Sequence, residues 1–298
     1  MTDITLLDGS IGQELVKRAG ENPTPLWSTQ VMIDHPKLVG EVHLGYFNAG
    51  ATVATTNTYC VLRDRLAIAG LQDQMEALTE TAVLSARRAR AAHGAGRVAG
   101  SLGPLIASYR PDICPPAAEA AESYAEPVRL MKDHVDLFLI ETVSSLEQAD
   151  GALRACMGQG LPVWLAVSVN DEDGSKLRSG EGVEQLTDLI TRHQPDAVLV
   201  NCSRPEAIGA ALQIIKGFGK PFGAYANGFT HISDGFLKTA PTVDALSART
   251  DLDPAAYAKF AMGWVNQGAT IIGGCCEVGP GHIAELATQL TKAGHRLV

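Results

Sequence analysis

A chain of 298 residues with 46% hydrophobic and 19% charged side chains has the composition of a globular protein with a substantial core. Its formal net charge of −9 argues against nucleic acid or an anionic membrane as the main partner. Six cysteines are too few for a disulfide scaffold, and no stretch reaches the ~18 apolar residues of a membrane span. The N-terminus lacks the pattern of a signal peptide, so the sequence predicts a cytoplasmic protein with reduced thiols.

Short apolar runs recur along the chain, and each is followed by a segment in which apolar side chains have helical spacing. The predicted strands lie at residues 4–7, 50–56, 97–101, 137–141, 163–169, 196–202, 221–225 and 269–273. The predicted helices lie at about residues 36–48, 72–92, 117–134, 146–157, 183–193, 205–216, 254–267 and 281–292.

Strands that are apolar almost throughout and alternate with helices indicate a parallel sheet covered on both faces. Eight such units are the number that a closed (β/α)8 TIM-type barrel requires. A doubly wound open sheet is the alternative, but no Gly-x-Gly-x-x-Gly motif follows the first strand. We therefore predict an α/β fold with a single barrel domain over residues 1–298.

Three cysteines follow two of the predicted strands. The last strand runs into two glycines and the adjacent pair Cys275 and Cys276, and another strand ends at Cys202. Adjacent cysteines rarely bridge each other, but both can bind one soft metal where glycines let the backbone turn. Two strands that end in three sulfurs indicate a three-thiolate zinc site with an open fourth position, although buried cysteines can also simply pack.

Other polar side chains also stand directly after predicted strands, and the carboxyl ends of barrel strands converge on the face that carries the active site. These side chains are Asp8, Asn57, Glu141 and Asn201. Each alone has a structural explanation: Asp8 as a helix cap, the others as turn residues or partners of nearby backbone. Together with the cysteines they indicate one site. No HExxH, Gly-x-Ser-x-Gly or phosphate-binding glycine motif competes with it.

At this point the sequence resembles the zinc-dependent homocysteine S-methyltransferases along nearly its whole length. The similar segments are residues 8–15, 56–59, 101–104, 141–142, 200–202 and 273–276, followed by Pro280 and His282. The cysteine signature is the most specific of them. The chain departs from the family pattern around Asn227, where Pro-Asn-Ala-Gly is common, and at Glu277, directly after the cysteines.

The resemblance implies that Cys202, Cys275 and Cys276 hold Zn²⁺ and act in catalysis. It implies methyl transfer from S-methylmethionine or S-adenosylmethionine to zinc-bound homocysteine thiolate, which yields methionine. The implied substrate-binding residues are Asp8, Gly9, Trp27, Asn57, Glu141 and Asn201. Glu141 and Asp8 would bind the ammonium group of homocysteine. Trp27 would face the cationic donor through a cation–π contact, or else pack under its loop.

Other functions remain open on the sequence alone. A betaine-dependent relative would use an ammonium donor, although the chain lacks the C-terminal extension typical of that group. A zinc-binding or thiol-sensing barrel would need the same cysteines and transfer no methyl group. A barrel lyase with inert cysteines would bind no zinc.

Overall fold

The computed structural model describes residues 1–20, 24–233, 235–237 and 242–298, in which parallel strands alternate with helices. The strands are β1 (Asp3–Leu6), β2 (Val53–Thr55), β3 (Arg97–Leu102), β4 (Leu137–Val143), β5 (Val163–Val167), β6 (Ala197–Asn201), β7 (Phe222–Tyr225), β8 (Ile271–Ile272) and β9 (Arg296–Leu297). The helices are α1 (Ile11–Ala19), α2 (Ser28–Asp34), α3 (Pro36–Asn48), α4 (Arg63–Ala67), α5 (Met75–His93), α6 (Ala117–Met131), α7 (Leu146–Cys156), α8 (Leu186–His193), α9 (Pro205–Ile215), α10 (Pro254–Asn266) and α11 (Pro280–Lys292). None of these helices combines the length and apolar character that a membrane crossing needs.

All nine strands form one parallel sheet, in the order β2-β3-β4-β5-β6-β7-β8-β1-β9. From β2 to β8 each strand pairs with the next strand of the chain, and the connecting segments contain the helices. The fold is therefore α/β and TIM-like. Because the strands are parallel, their carboxyl ends all lie at the same edge of the sheet.

The sheet has a seam between β1 and β2. Leu7 and Val53 form an isolated parallel bridge there, and the Asp8 N–H donates to the Val53 carbonyl over 3.1 Å. The Thr52 N–H donates to the Leu6 carbonyl over 2.7 Å. These contacts do not make a regular ladder, because β1 ends at Leu6, before the bridge at Leu7, and β1 and β2 are not paired in the sheet.

The predicted closed barrel of eight strands is thus confirmed only in its coarser form, as a curled parallel TIM-like sheet with nine strands. The unpredicted strand, β9, pairs with the first two residues of β1. It consists of two residues, which is too short to leave a sequence pattern. All eight predicted strands are found. The prediction missed α1, α2 and α4, which have nine, seven and five residues.

The structure shows which residue caps helix α1. Ser10 caps this helix, because its hydroxyl accepts the Gln13 N–H over 3.2 Å. Asp8 is therefore not the cap that its position also allowed, and its carboxylate is directed elsewhere.

The core has two main parts, one between sheet and helices and one among side chains of the sheet's other face. Leu137 and Leu139 belong to this second cluster, together with Leu199 and Tyr225. Successive side chains of a strand point to opposite faces, so Glu141 lies on the same face of β4 as Leu137 and Leu139. A charged residue thus continues an apolar row at the carboxyl end of the strand.

Candidate active site

A cavity of about 540 Å³ opens at the carboxyl ends of the strands. Its wall contains most residues that the sequence predicted for the site: Asp8, Gly9, Trp27, Asn57, Glu141, Cys202, Cys275 and Cys276. Asn201 is not part of this wall. Side chains that sequence analysis did not single out, among them Tyr59, Arg65, Ser101 and Tyr109, complete it.

Three cysteine sulfurs form a cluster in the cavity wall. The Sγ atoms of Cys202, Cys275 and Cys276 all lie within 4.8 Å of one another. In this structure Cys202 and Cys275 are joined by a disulfide, whereas Cys276 is free. Burial, and next the neighbouring Glu277 carboxylate, raise the pKa of the Cys276 thiol to about 12. Without a cation nearby, this thiol is therefore protonated at neutral pH.

The backbone around the cysteines explains their convergence. Cys202 has a positive φ of 47°, which turns the chain sharply at the end of β6, and its N–H donates to the Tyr225 carbonyl over 3.2 Å. The Cys275 N–H donates to the Ala226 carbonyl over 2.9 Å. At Gly274 a Cβ would stand 2.1 Å from the Val278 side chain, so only glycine allows this close approach.

Gly9 has a comparable steric role beside Asp8. A Cβ at Gly9 would lie 2.0 Å from the Val278 carbonyl oxygen and 2.8 Å from the Tyr46 ring. The loop after β1 therefore packs directly on the segment that follows the adjacent cysteines. The contact fixes Asp8 relative to Cys275 and Cys276.

Asp8 is buried and bonded across the seam. Its Oδ2 accepts the Thr55 N–H over 2.6 Å, and its Oδ1 accepts the Thr55 hydroxyl over 2.8 Å. Burial raises the pKa of Asp8 to about 8 despite these hydrogen bonds, and the charge of Glu141 adds to the rise. The carboxyl group is therefore largely protonated at pH 7.

Glu141 is the second buried carboxylate of the cavity. Its Oε2 accepts the Ser101 hydroxyl over 2.5 Å, and its Oε1 accepts the Tyr225 hydroxyl over 3.0 Å. Burial raises its pKa to about 6, against the two hydrogen bonds, which lower it. At pH 7 Glu141 is mainly ionised and Asp8 mainly neutral, so the pair carries about one negative charge.

An aromatic corner faces the same cavity. The rings of Trp27 and Tyr59 meet edge to face, with centroids 6.2 Å apart. The Trp27 Nε1–H donates to Gln13 over 2.8 Å, which orients the indole. Asn57 accepts the Ser28 hydroxyl over 2.6 Å and donates to the Ser28 carbonyl over 3.2 Å, and it thereby fixes the start of α2 directly after Trp27.

Asn201 supports the wall from behind. Its Oδ1 accepts the Thr142 N–H over 3.0 Å, and its Nδ2 donates to the Thr142 hydroxyl over 3.1 Å. Thr142 has a positive φ of 60°, which is strained for a β-branched residue. Asn201 is fully buried and both ends of its amide are engaged. Its contacts reach Thr142, next to Glu141 in β4, and Thr142 lines the cavity although Asn201 does not.

Arg178 connects the cysteine cluster with a loop over the cavity. Its guanidinium lies 4.7 Å from the centroid of the Tyr109 ring, donates to the Cys202 carbonyl over 3.0 Å and pairs with Asp171 over 3.0 Å. The Tyr109 ring in turn contacts Phe236. No sequence motif predicts this role of Arg178, because two of the residues that it contacts, Tyr109 and Cys202, belong to other segments of the chain.

The sulfur cluster fits a zinc ion. Three sulfurs bound to one tetrahedral zinc at about 2.3 Å lie about 3.8 Å apart, and the cluster spans no more than 4.8 Å. Cysteine thiolates are ligands that zinc prefers. Binding requires reduction of the Cys202–Cys275 disulfide, because only thiolates can serve as ligands.

Comparisons with known proteins agree with this site. A family model described as homocysteine S-methyltransferase matches residues 5–290. The homocysteine S-methyltransferase of Escherichia coli is 31% identical, over 96% of this chain and 95% of the relative. The homocysteine S-methyltransferase YbgG of Bacillus subtilis is 25% identical, over 95% of this chain and 93% of the relative.

Solved structures show the same relationship. The metallated form of the E. coli homocysteine methyltransferase MmuM superposes with a TM-score of 0.80 at 28% identity, over 97% of this chain and 96% of that chain. The oxidised form of that enzyme also gives a TM-score of 0.80, at 29% identity over 96% of each chain.

Proposed function

Since the chain belongs to the homocysteine S-methyltransferase family, we propose that its cavity binds homocysteine beside a zinc ion held by Cys202, Cys275 and Cys276. The protein is a homocysteine S-methyltransferase. The proposed donor is a methyl sulfonium, S-methylmethionine or S-adenosylmethionine. The observation that carries the proposal is the convergence of three sulfurs and two buried carboxylates on one cavity.

The proposed reaction is a direct transfer between two sulfur atoms. The homocysteine sulfur attacks the methyl carbon of the sulfonium, and the bond from that carbon to the donor sulfur breaks. The electron pair of this bond stays on the donor sulfur, which becomes a neutral thioether. Zinc would lower the pKa of the homocysteine thiol and fix its sulfur in the cavity.

The two carboxylates have the charge that homocysteine binding needs. With Glu141 mainly ionised and Asp8 mainly neutral at pH 7, one negative charge faces one ammonium group. In a buried pocket such a charge-assisted hydrogen bond is stronger than one between neutral groups. The hydroxyls of Ser101 and Tyr225 hold the Glu141 carboxylate in place for this contact.

The aromatic corner is the proposed place for the donor. A sulfonium is attracted by the negative face of an aromatic ring, and Trp27 is the proposed ring in the cavity wall, beside Tyr59, over which the Arg65 guanidinium already lies. Gly9 and Asn57 support this arrangement. Gly9 lets the loop after β1 lie close to the segment that follows the cysteines, and the hydrogen bond of Asn57 to Ser28 fixes the start of the helix after Trp27.

The decisive experiment measures methionine formation by the reduced, zinc-loaded protein. Homocysteine is offered with S-methylmethionine, S-adenosylmethionine or betaine in separate reactions. Turnover with either sulfonium supports the proposal. Turnover with betaine alone would refute the sulfonium donor, and zinc binding without turnover by any donor would indicate a zinc-binding or thiol-sensing role.

We further propose that residues 1–298 form one domain and that its sheet closes as a (β/α)8 barrel. The Leu7–Val53 bridge and the backbone hydrogen bonds at the seam support closure. The family match over residues 5–290 supports a single domain. We place the protein in the cytoplasm, since three zinc-binding thiolates need a reducing compartment.

A further inference from the structure

We infer that Asp64 and Arg65 form a receptor for the α-ammonium and α-carboxylate groups of the methyl donor. Both residues belong to α4 and both line the cavity. The inference rests on the methyl transfer proposed above. It adds the two side chains that recognise the amino-acid end of this donor.

Arg65 has a guanidinium that is only partly engaged. Its Nε and Nη2 donate to the Pro104 carbonyl over 2.9 and 2.7 Å, and Nη2 also donates to the Ser108 hydroxyl over 3.2 Å. The remaining nitrogen, Nη1, has in the described part of the chain only the Cys60 sulfur as acceptor, at 3.9 Å. Sulfur is a weak acceptor, so this side of the guanidinium is available for a ligand.

No carboxylate lies at ion-pair distance from Arg65 among the residues that the structure describes. The pKa of Arg65 is raised although burial opposes the rise, and the charge of the neighbouring Asp64 carboxylate contributes to it without a direct contact. A partly buried cation without an anion is unfavourable, because the protein interior solvates charge poorly. A carboxylate that enters the cavity would supply the missing partner and accept from Nη1.

Asp64 has a carboxylate oxygen without a hydrogen-bond donor among the described residues. Its Oδ2 accepts the N–H of Ile106. Its Oδ1 is buried and has no hydrogen-bond partner among the described residues. A buried carboxylate oxygen without a donor is rare in folded proteins, and an ammonium group is a donor that suits it. Since this oxygen has almost no accessible surface, the Asp64 carboxylate has to rotate to present it to the cavity. Asp64 and Arg65 together therefore match both charges of an amino-acid zwitterion.

The receptor adjoins the aromatic corner proposed for the sulfonium. The Arg65 guanidinium carbon lies 5.6 Å from the centroid of the Tyr59 ring, and the Trp27 ring contacts the same ring edge to face. In S-methylmethionine two methylene groups separate the sulfonium from the α-carbon, so one small molecule can reach both places. Homocysteine, whose ammonium group we assign to Glu141 and Asp8, leaves this receptor free for the second amino acid.

Three sulfonium donors separate the two contacts. S-methylmethionine carries both groups, dimethylsulfoniopropionate carries a carboxylate without an ammonium group, and trimethylsulfonium carries neither. We expect Arg65→Gln to raise KM about tenfold or more for the first two donors, and Asp64→Asn to do so for S-methylmethionine only. Both variants should use trimethylsulfonium as the unmodified protein does.

Arg63→Gln is the matched control. It removes the same charge two residues from Arg65, from an exposed side chain that pairs with Glu126 outside the cavity wall. This variant should keep the KM for every donor. If Arg65→Gln weakened the use of all three donors equally, its role would be to tie the Pro104 loop, and the receptor would be refuted.

A binding measurement keeps this test separate from the proposed function. Titration calorimetry of S-methylmethionine with the unmodified protein, Asp64→Asn and Arg65→Gln needs no turnover. Binding that weakens about tenfold in both variants supports the receptor even if no methyl group is transferred. Equal affinity for all three proteins overturns it even if methionine is formed.

Discussion

The side chain of Asn201 forms hydrogen bonds with the N–H and the hydroxyl of Thr142, accepting from the N–H over 3.0 Å and donating to the hydroxyl over 3.1 Å. Asn201 immediately precedes Cys202, and Thr142 immediately follows Glu141. One buried amide thus sets the position of a cysteine of the sulfur cluster relative to the carboxylate that we propose binds homocysteine. In the proposed site, the spacing of zinc and homocysteine therefore depends on Asn201, which is not itself part of the cavity wall.

Replacement of Asn201 by alanine should weaken zinc and homocysteine binding together. The change leaves the Thr142 N–H buried without a partner, so the free energy of unfolding should fall by about 1–3 kcal/mol. Urea unfolding and zinc titration check this. Asn201→Asp keeps the acceptor for the Thr142 N–H and should lose less. Unchanged unfolding and zinc affinity in Asn201→Ala would contradict the positioning role.

Replacement of Cys276 by serine should reduce bound zinc to well below one ion per chain. Two thiolates hold zinc much less firmly than three, and a serine hydroxyl is a poor ligand for it. Metal analysis of the reduced, dialysed protein measures the effect. Cys114→Ser is the control, because this partly buried cysteine lies outside the cluster. A full complement of zinc in Cys276→Ser would exclude the site.

Glu141→Gln should change how stability depends on pH in the metal-free protein. The pKa of Glu141 rises from 4.5 to about 6 on folding, so between these values the folded protein keeps a proton that the unfolded chain has lost. Its contribution to the free energy of unfolding therefore falls as pH rises through this window, by about 2 kcal/mol.

Glu141→Gln has no carboxyl group to titrate, so the free energy of unfolding of the variant should increase relative to that of the unmodified protein by about 2 kcal/mol between pH 4.5 and 7.5. Urea unfolding at several pH values measures the difference, to which Asp8 adds a smaller change because the charge of Glu141 contributes to its raised pKa. Glu126→Gln is a control of opposite sign, because the Arg63 side chain lowers the pKa of Glu126. A difference that stays constant with pH would contradict the burial of a titrating Glu141.

Arg178→Lys should lower zinc affinity about tenfold, although Arg178 is not itself a ligand. A lysine cannot bond the Cys202 carbonyl, pair with Asp171 and stack on Tyr109 at the same time. Competition with a chelator measures the affinity. Arg154→Lys on α7 is the control, since Arg154 pairs with Asp150 and neither residue lines the cavity. Equal loss in both variants would point to a general effect of arginine replacement.

Side chains that stand directly after an apolar strand could be predicted to share one cavity, and most of them do. Asp8, Glu141 and the three cysteines follow that rule, because parallel strands bring their carboxyl ends together without any further folding of loops. Arg65, Tyr109 and Arg178 enter the cavity wall or its support from loops and a short helix, whose path depends on contacts between distant segments. No local pattern encodes those contacts.

Three other differences have physical causes of their own. Asn201 follows the strand-end rule, but the direction of its side chain depends on a partner 59 residues away. The bond between Cys202 and Cys275 depends on the redox state of the protein, which a sequence does not contain. The open ladder at the seam depends on the lengths of β1 and β2, and strand ends are poorly marked by composition.

Asp8 bears on the fold as well as on the chemistry of the site. Its carboxyl group joins the end of β1 to Thr55 at the end of β2, across the seam where the ladder is open. The same group lines the cavity. With the substrate role proposed for Asp8, one side chain serves both the fold and the substrate, so a replacement that altered substrate binding would also remove the link across the seam.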